Sequence, residues 1–526
     1  VSDFENLSRA GLFAEEALGS TTAAERLARL RAEPLLIALA PGLGRRGQLM
    51  LAAIANLVGR LFDFFGPIDL DMPAEYTQLG IFGLSPRTRL STATVRFLQQ
   101  MRLDPDEADV ARAPRRGPYR RAILIGGGPR SDVEEPFYID CAGWLAVVSP
   151  KPTPLLAEPP GAFNPFGGLA AASLGAAELA KSLFRAVAGE AGVERFGRLE
   201  APCYWDLWSH RARRVSRGPG LPFRLDLGNV GIAGLGALGN AVLFALVHVG
   251  GIQGCLELVD DDVLSKTNLE RALTAFGRDV GRPKTESARR ALGGTDLRSR
   301  VIHGRYGPEL PKKARAATIL VGVDSGEARR QITRYLPEAL YNGGTQGSEI
   351  LVSRHVRFEG ACLECLYPEI EDPVGHTARR LGVDRASAAA LEAGERKLDH
   401  EILTAMQRRG GVHFREIDAA SLLGEPLEAL EGYECSRAVV IEDLPEATIG
   451  FVSALCGFLM ACELVKDRFD EERGEPLDDD HPVYRLDLLA STPGPECVEA
   501  YVPRRDCFCQ QPEVRRRIDA LRGEPL

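Results

Sequence analysis

The residues that most restrict the fold are Gly234-Leu-Gly236-Ala-Leu-Gly239 and their neighbours. The run LDLGNVGIA before them predicts a strand, and the apolar NAVLFALV within and after them predicts a helix. Glycines at this spacing let the backbone turn tightly and approach a phosphate, whose charge a helix N-terminus favours. A second strand, CLELVD, ends at Asp260, 21 residues beyond Gly239, placed to bind ribose hydroxyls. Such a unit predicts an α/β fold with parallel strands and a ligand at their C-terminal ends. Alone, these residues fit equally a nicotinamide dinucleotide fingerprint or a glycine turn without a ligand.

The residues that follow narrow the chemistry. Asp260, Asp261 and Asp262 are followed by Asn268, Arg271 and Lys284. A dehydrogenase has no general need for Asn-Leu-x-Arg here, or for a lysine 13 residues after the arginine. A triphosphate does: Arg271 and Lys284 can neutralise charge growing on a leaving pyrophosphate, and Asp324 can hold Mg²⁺. The alternative is that Arg271 and Lys284 are solvated helix charges.

At 526 residues the chain is long enough for two or three domains, and 45% apolar with 26% charged residues fits a globular protein. A net charge of −9 argues against nucleic acid as the main partner. The acidic, polar start VSDFENLSRAGLFAEE is unlike a secretory leader. The stretch Ile449 to Val465 falls short of the ~20 apolar residues that span a bilayer and is expected to be a buried helix. Eleven cysteines, an odd and mostly scattered set, point to a reducing cytoplasm.

The first part of the chain echoes the second. Gly42-Leu-Gly44-Arg-Arg-Gly47 matches the glycine run, Ile68-Asp69-Leu70-Asp71 echoes Val259 to Asp262, and Ile123 to Gly126 echoes Ile319 to Gly322. Ala177-Glu-Leu-Ala-Lys181 echoes Cys462-Glu-Leu-Val-Lys466. Four matches in one order predict a duplicated α/β domain. The first copy has no Asn-Leu-x-Arg and no matching lysine, and it carries Gly128 where the second has Asp324. The expected division is a first domain over 1–210, a basic Gly/Pro-rich linker over 211–222, and a second domain over 223–526. Single strands are expected near 137–148 and 349–357, and a single helix near 384–409.

Cys362-Leu-Glu-Cys365 and Cys507-Phe-Cys509 can form a four-thiolate zinc site that staples the C-terminus back onto the second domain. Four unligated cysteines are the alternative.

Together these residues resemble the ThiF/MoeB and ubiquitin-activating enzymes. Asp260-Asp-Asp262-Val263, Thr267-Asn268-Leu269-Glu270-Arg271-Ala272 and Gly281-Arg-Pro-Lys284 follow that family's order, and Asp324-Ser325 falls where the family keeps its magnesium-linked acid. Two departures are Ala272, where the family has glutamine, and C-x-C in place of a second C-x-x-C. The resemblance implies two Rossmann-like adenylation domains, an inactive N-terminal one and an active C-terminal one, in a pseudo-dimer within a monomer. It implies that Gly234, Gly236, Gly239, Asp260, Asp262, Asn268, Arg271, Lys284 and Asp324 hold ATP and Mg²⁺. Cys435, in Gly-Tyr-Glu-Cys-Ser-Arg, would be the thioester-forming nucleophile of a crossover segment spanning 366–446, with Arg437 nearby to favour the thiolate.

The implied reaction is activation of a ubiquitin-like protein's C-terminal carboxylate, then transfer to a conjugating enzyme. The alanine, arginine and glycine content is that of a GC-rich bacterial genome, and the fused pair resembles activating enzymes of bacterial ubiquitin-like antiviral systems of the Bil type. Three readings compete with this one: a sulfur-carrier adenylyltransferase, an NAD-dependent dehydrogenase, and a scaffold that only binds a partner.

Overall fold

The computed structural model describes residues 33–61, 65–78, 88–102, 104, 109–115, 117–188, 196–215, 218–307, 310, 316–356, 358–368, 373–409, 423–427, 448–469, 477, 482–489, 493 and 497–522. Cys435 and most of the segment around it lie outside the described residues.

Two sheets are built on one plan. The first contains β1 (Leu35–Leu39), β2 (Ile68–Asp71), β3 (Val110–Ala111), β4 (Tyr119–Ile125), β5 (Val133–Ala142), β6 (Leu145–Ser149) and β7 (Cys203–Asp206), in spatial order β3-β2-β1-β4-β5-β6-β7. The second contains β8 (Leu225–Ala233), β9 (Ile252–Asp260), β10 (Asp296–His303), β11 (Thr318–Val321), β12 (Ala339–Gln346), β13 (Glu349–Val356), β14 (Val483–Asp487) and β15 (Val498–Glu499), in order β10-β9-β8-β11-β12-β13-β14-β15. In each sheet the first five strands of that order run parallel, and the strands beyond them pair antiparallel. Matching order and sense make the duplication a property of the fold.

The first sheet carries α1 (Gly44–Gly59), α2 (Leu90–Gln100) and α3 (Phe166–Ala188). The second carries α4 (Ala237–Leu246), α5 (Lys284–Ala291), α6 (Gly326–Thr333) and α7 (Leu363–Leu366); α8 (Pro373–Leu381), α9 (Arg385–Glu392) and α10 (His400–Arg409) pack on one another around a separate cluster, and α11 (Gly450–Phe469) and α12 (Pro512–Arg522) follow. α3 and α11 are buried nearly all round, which fits their runs of alanine, leucine and cysteine. They pack on each other between the sheets, so one hydrophobic cluster runs from Ile37 and Leu169 to Leu243 and Leu459. Among the described residues no helix is long and apolar enough to cross a membrane.

Two expectations are corrected. Residues 137–148 do not form one strand but belong to the hairpin β5–β6, because Gly143 at φ +56° reverses the chain. The expected helix at 384–409 is two helices, α9 and α10, broken at Gly394 with φ +70°. Trp208 to His210 are buried, and Leu221 pairs with Ala162.

Candidate functional site

β8 lies between β9 and β11, all three parallel, so their C-terminal ends form a single edge. The expected site residues gather there. Gly234, Gly236, Asp260, Asp262, Asn268, Arg271, Lys284 and Asp324 line one cleft of about 1100 Å³. Gly239 lies behind them in the first turn of α4.

The glycine turn is tight for a steric reason. Gly234 has φ +86°, and a Cβ there would sit 2.8 Å from the Gly322 carbonyl oxygen on the turn after β11. Gly236, at the start of α4, faces open space. Asn240, missed by the sequence reading, ties the turn down: its amide nitrogen donates to Leu235 O at 2.7 Å and Gly236 O at 2.9 Å. Its carbonyl oxygen accepts from the Thr274 hydroxyl and, at 3.3 Å, from the Thr274 backbone N–H. One polar residue in an otherwise apolar helix was the available signal.

Asp260 ends β9 and is nearly buried at 8% exposure. Leu235 N–H donates to one carboxylate oxygen at 2.6 Å and Asp262 N–H to the other at 2.8 Å. Burial pushes the Asp260 carboxyl above the usual carboxylate range, against the pull of those two N–H groups and of Lys284. Each oxygen retains accepting capacity for a ribose hydroxyl. Asp261, beside it, is held below the usual range by the exposed guanidinium of Arg305 at 2.7 Å.

Lys284 begins α5. Its ammonium lies 2.5 Å from Asp262 and 3.9 Å from Asp260. Asn268 closes the short 3-10 turn Lys266–Asn268: its side-chain oxygen accepts from Ser265 N–H at 2.9 Å. Arg271 follows in the loop after that turn. Asp324 is exposed just before α6, whose cap Ser325 accepts from Ala328 N–H at 3.2 Å. α6 is locked from behind by Arg329, which bonds Asn342 at 3.0 Å and Gly343 O at 3.1 Å and lies 4.6 Å over the Tyr367 ring. Arg329 and Tyr367 were also missed, because their partners are distant in sequence.

The corresponding edge of the first sheet differs. Asp69, the acid the sequence pairs with Asp260, is fully buried and accepts from Tyr119 OH at 2.6 Å and Arg115 N–H at 2.8 Å. The acid on the first glycine turn is instead Glu75, which accepts from Gly42 N–H at 3.0 Å. Strand register explains the change. Ala38 pairs with Asp71, so Gly42 and Glu75 stand four residues beyond that pair, whereas Ala233 pairs with Val259 and Gly234 and Asp260 stand one beyond. Asp71 is tied to Arg130.

A second cluster holds the four expected zinc ligands. Cys362 Sγ lies 3.8 Å from Cys365 Sγ and 3.5 Å from Cys507 Sγ, and Cys365 Sγ lies 3.7 Å from Cys509 Sγ. A tetrahedron with Zn–S bonds of ~2.3 Å has S–S edges of ~3.8 Å, so the four thiols fit zinc. All four are buried. Arg504 N–H at 3.4 Å from Cys365 Sγ and the Gln510 amide at 3.3 Å from Cys509 Sγ supply the donors that thiolates want. The cluster joins α7 to the segment that leads into α12.

The ThiF family model matches residues 223–478. An uncharacterized protein of Sinorhizobium fredii is 27% identical over 67% of this chain and 69% of its own length. The human ubiquitin-like modifier-activating enzyme 7 is 33% identical over 26% of this chain, and the match spans only 15% of that enzyme. A crystal structure of E. coli MccB aligns at 18% identity over 54% of this chain and 67% of its own, with a TM-score of 0.33. The residues matched by the ThiF family model thus include the glycine turn, Asp260, Arg271, Lys284 and Asp324.

Proposed function

We propose that the chain activates the C-terminal carboxylate of a ubiquitin-like protein by adenylation. The observation that carries this is the convergence of the glycine turn, Asp260, Arg271, Lys284 and Asp324 on one cleft at three adjacent strand ends. In this reading the start of α4 and the glycine turn take the phosphates, and Asp260 takes a ribose hydroxyl. The substrate carboxylate attacks the α-phosphorus of ATP, the bond to pyrophosphate breaks, and an acyl-adenylate forms. Arg271 and Lys284 carry the charge that accumulates on the departing pyrophosphate. Asp324 would hold Mg²⁺, which supplies charge neutralisation on the phosphates when bound.

Thioester formation on Cys435 is the second step of the proposal. Its thiolate attacks the acyl carbon, AMP leaves, and a conjugating-enzyme cysteine then accepts the acyl group. In sequence, Cys435 precedes by 13 residues Thr448, which lines the cleft, and this short separation supports the reading. The first half, lacking the lysine and Asp324 equivalents, acts as the inactive partner. A role in bacterial antiviral defence rests on the sequence resemblance and is tested by phage challenge of cells with and without the gene.

The deciding experiment is ATP–pyrophosphate exchange with candidate ubiquitin-like proteins. Asp324→Ala and Arg271→Ala should each lower exchange by ~10²–10³-fold. Near wild-type exchange in either variant overturns the assignment. A sulfur-carrier adenylyltransferase would give the same exchange but no reductant-sensitive adduct.

A further inference from the structure

We infer that Arg60, which belongs to the first half and does not line the cleft, is a positioning residue for adenylation in the second half. It fixes the loop that presents Arg271, so this inference rests on the function proposed above. Arg60 stands at the C-terminal end of α1 and is 1% exposed. Its guanidinium donates to Leu269 O at 2.6 Å, Leu273 O at 3.2 Å and Ala275 O at 2.8 Å, and to the Asn56 side-chain oxygen at 2.5 Å. Asn56 adds a bond of 3.0 Å to Leu273 O.

The three carbonyls bracket Arg271: one lies two residues before it, another two residues after it, and the third four after it. This loop has short turns but no sheet ladder, so its carbonyls need partners from elsewhere. A planar guanidinium can hold several acceptors in fixed directions at once, which an ammonium cannot. The same loop is held from two other sides. Asn240 grips Thr274, and a Cβ at Gly450 on α11 would meet Glu270 O at 2.7 Å. Phe97 of α2 closes the far end edge-on to Phe276, with centroids 6.1 Å apart.

The loop therefore folds on a template supplied by the catalytically depleted half. Without Arg60 the Arg271 side chain would start from a backbone free to shift, and misplacement by ~1 Å can cost ~10²-fold in rate. The first half is retained in this view because its side chains complete the second half's site from behind.

The test uses the full chain with Arg60→Lys, which keeps the charge and loses the fork. Hydrogen–deuterium exchange without nucleotide should speed by about tenfold or more at amides 269–275 and stay unchanged in β11 and α11. In pyrophosphate exchange, kcat should fall by about tenfold or more while KM for ATP moves little. In an Arg271→Lys background the same change should cost less than about threefold, since its effect passes through Arg271. Unchanged loop protection, or a full-sized kcat loss that persists in the Arg271→Lys background, overturns the inference. If wild-type protein gives no pyrophosphate exchange, the proposed function fails while the hydrogen-exchange result still decides the role of Arg60 in the loop. Should Arg60→Lys not fold, Asn56→Ala, which removes only the Leu273 bond and one support of Arg60, should show the same pattern at smaller size; no loop effect there is equally fatal.

Discussion

The Lys284 ammonium lies 2.5 Å from the Asp262 carboxylate, a pair made between the first residue of α5 and the turn that follows β9. Because the Asp262 side chain is 66% exposed, the pair adds little to stability. Its value is placement, since it aims a cation into the cleft. Lys284→Met should therefore leave the melting temperature within about 2 °C of wild type while lowering pyrophosphate exchange by ~10²-fold. Calorimetry and exchange kinetics on one preparation check both halves of that statement.

The two acids on the two glycine turns should behave differently. Asp260→Asn should weaken ATP binding by about tenfold or more, because it removes a charge that holds the turn and that is proposed to hold the ribose. Glu75→Gln, on the first turn, should leave ATP affinity unchanged, as read by calorimetric titration. Equal losses would mean two working nucleotide sites.

The thiol cluster predicts about one zinc per chain by metal analysis. Cys507→Ser should lower the zinc content and the melting temperature together, and strong chelators should do the same to wild type. Zinc-free protein of undiminished stability would remove the metal from the fold.

Cys435→Ala should abolish an ATP-dependent, reductant-sensitive adduct with the substrate while pyrophosphate exchange continues. None of the groups assigned to adenylation needs that thiol. Gel electrophoresis with and without reductant reads the adduct, and its survival in the variant would point to another cysteine.

Acid should loosen the joint between the halves. His210 is buried, with Nε2 2.9 Å from Glu463 on α11, while Lys466 also bonds Glu463 at 2.5 Å. Burial first, and Lys466 second, hold the His210 pKa below its ordinary value. The unfolded chain then takes up the proton first as pH falls. Stability contributed by neutral His210 is fully present above about pH 6.5 and is lost progressively below it. Denaturant midpoints measured from pH 7.5 to 5 should fall, and His210→Gln should flatten that slope.

Much of the active cleft was legible because its parts are local. Strand, glycine turn, helix and second strand follow one another in sequence, so spacing alone places Gly234 and Asp260 together. Arg271, Lys284 and Asp324 then fall at the same edge once β8, β9 and β11 are neighbours. The acid of the first copy was misread because a residue count ignores strand register: the segments leaving β1 and β2 continue four residues past the Ala38–Asp71 pair before Glu75 meets Gly42. Arg60 and Asn240 were not legible. Their bonds join segments by hydrogen-bond geometry, which leaves no trace in hydrophobic period; Arg60 reaches carbonyls more than 200 residues away. The β5–β6 hairpin was read as one strand because both arms are apolar and only Gly143 marks the reversal.

The hydrophobic cluster that α3 and α11 share has a consequence for how the chain can be cut. Neither sheet owns a complete interior, so each half synthesised alone would present a wide oily face to water and precipitate. A protease nick in the stretch joining the halves, made after folding, should do almost nothing: the fragments would co-elute as one particle. In assembly terms the two halves relate to each other as subunits that share one interior, and the peptide tether guarantees equal supply of both parts more than it holds them together.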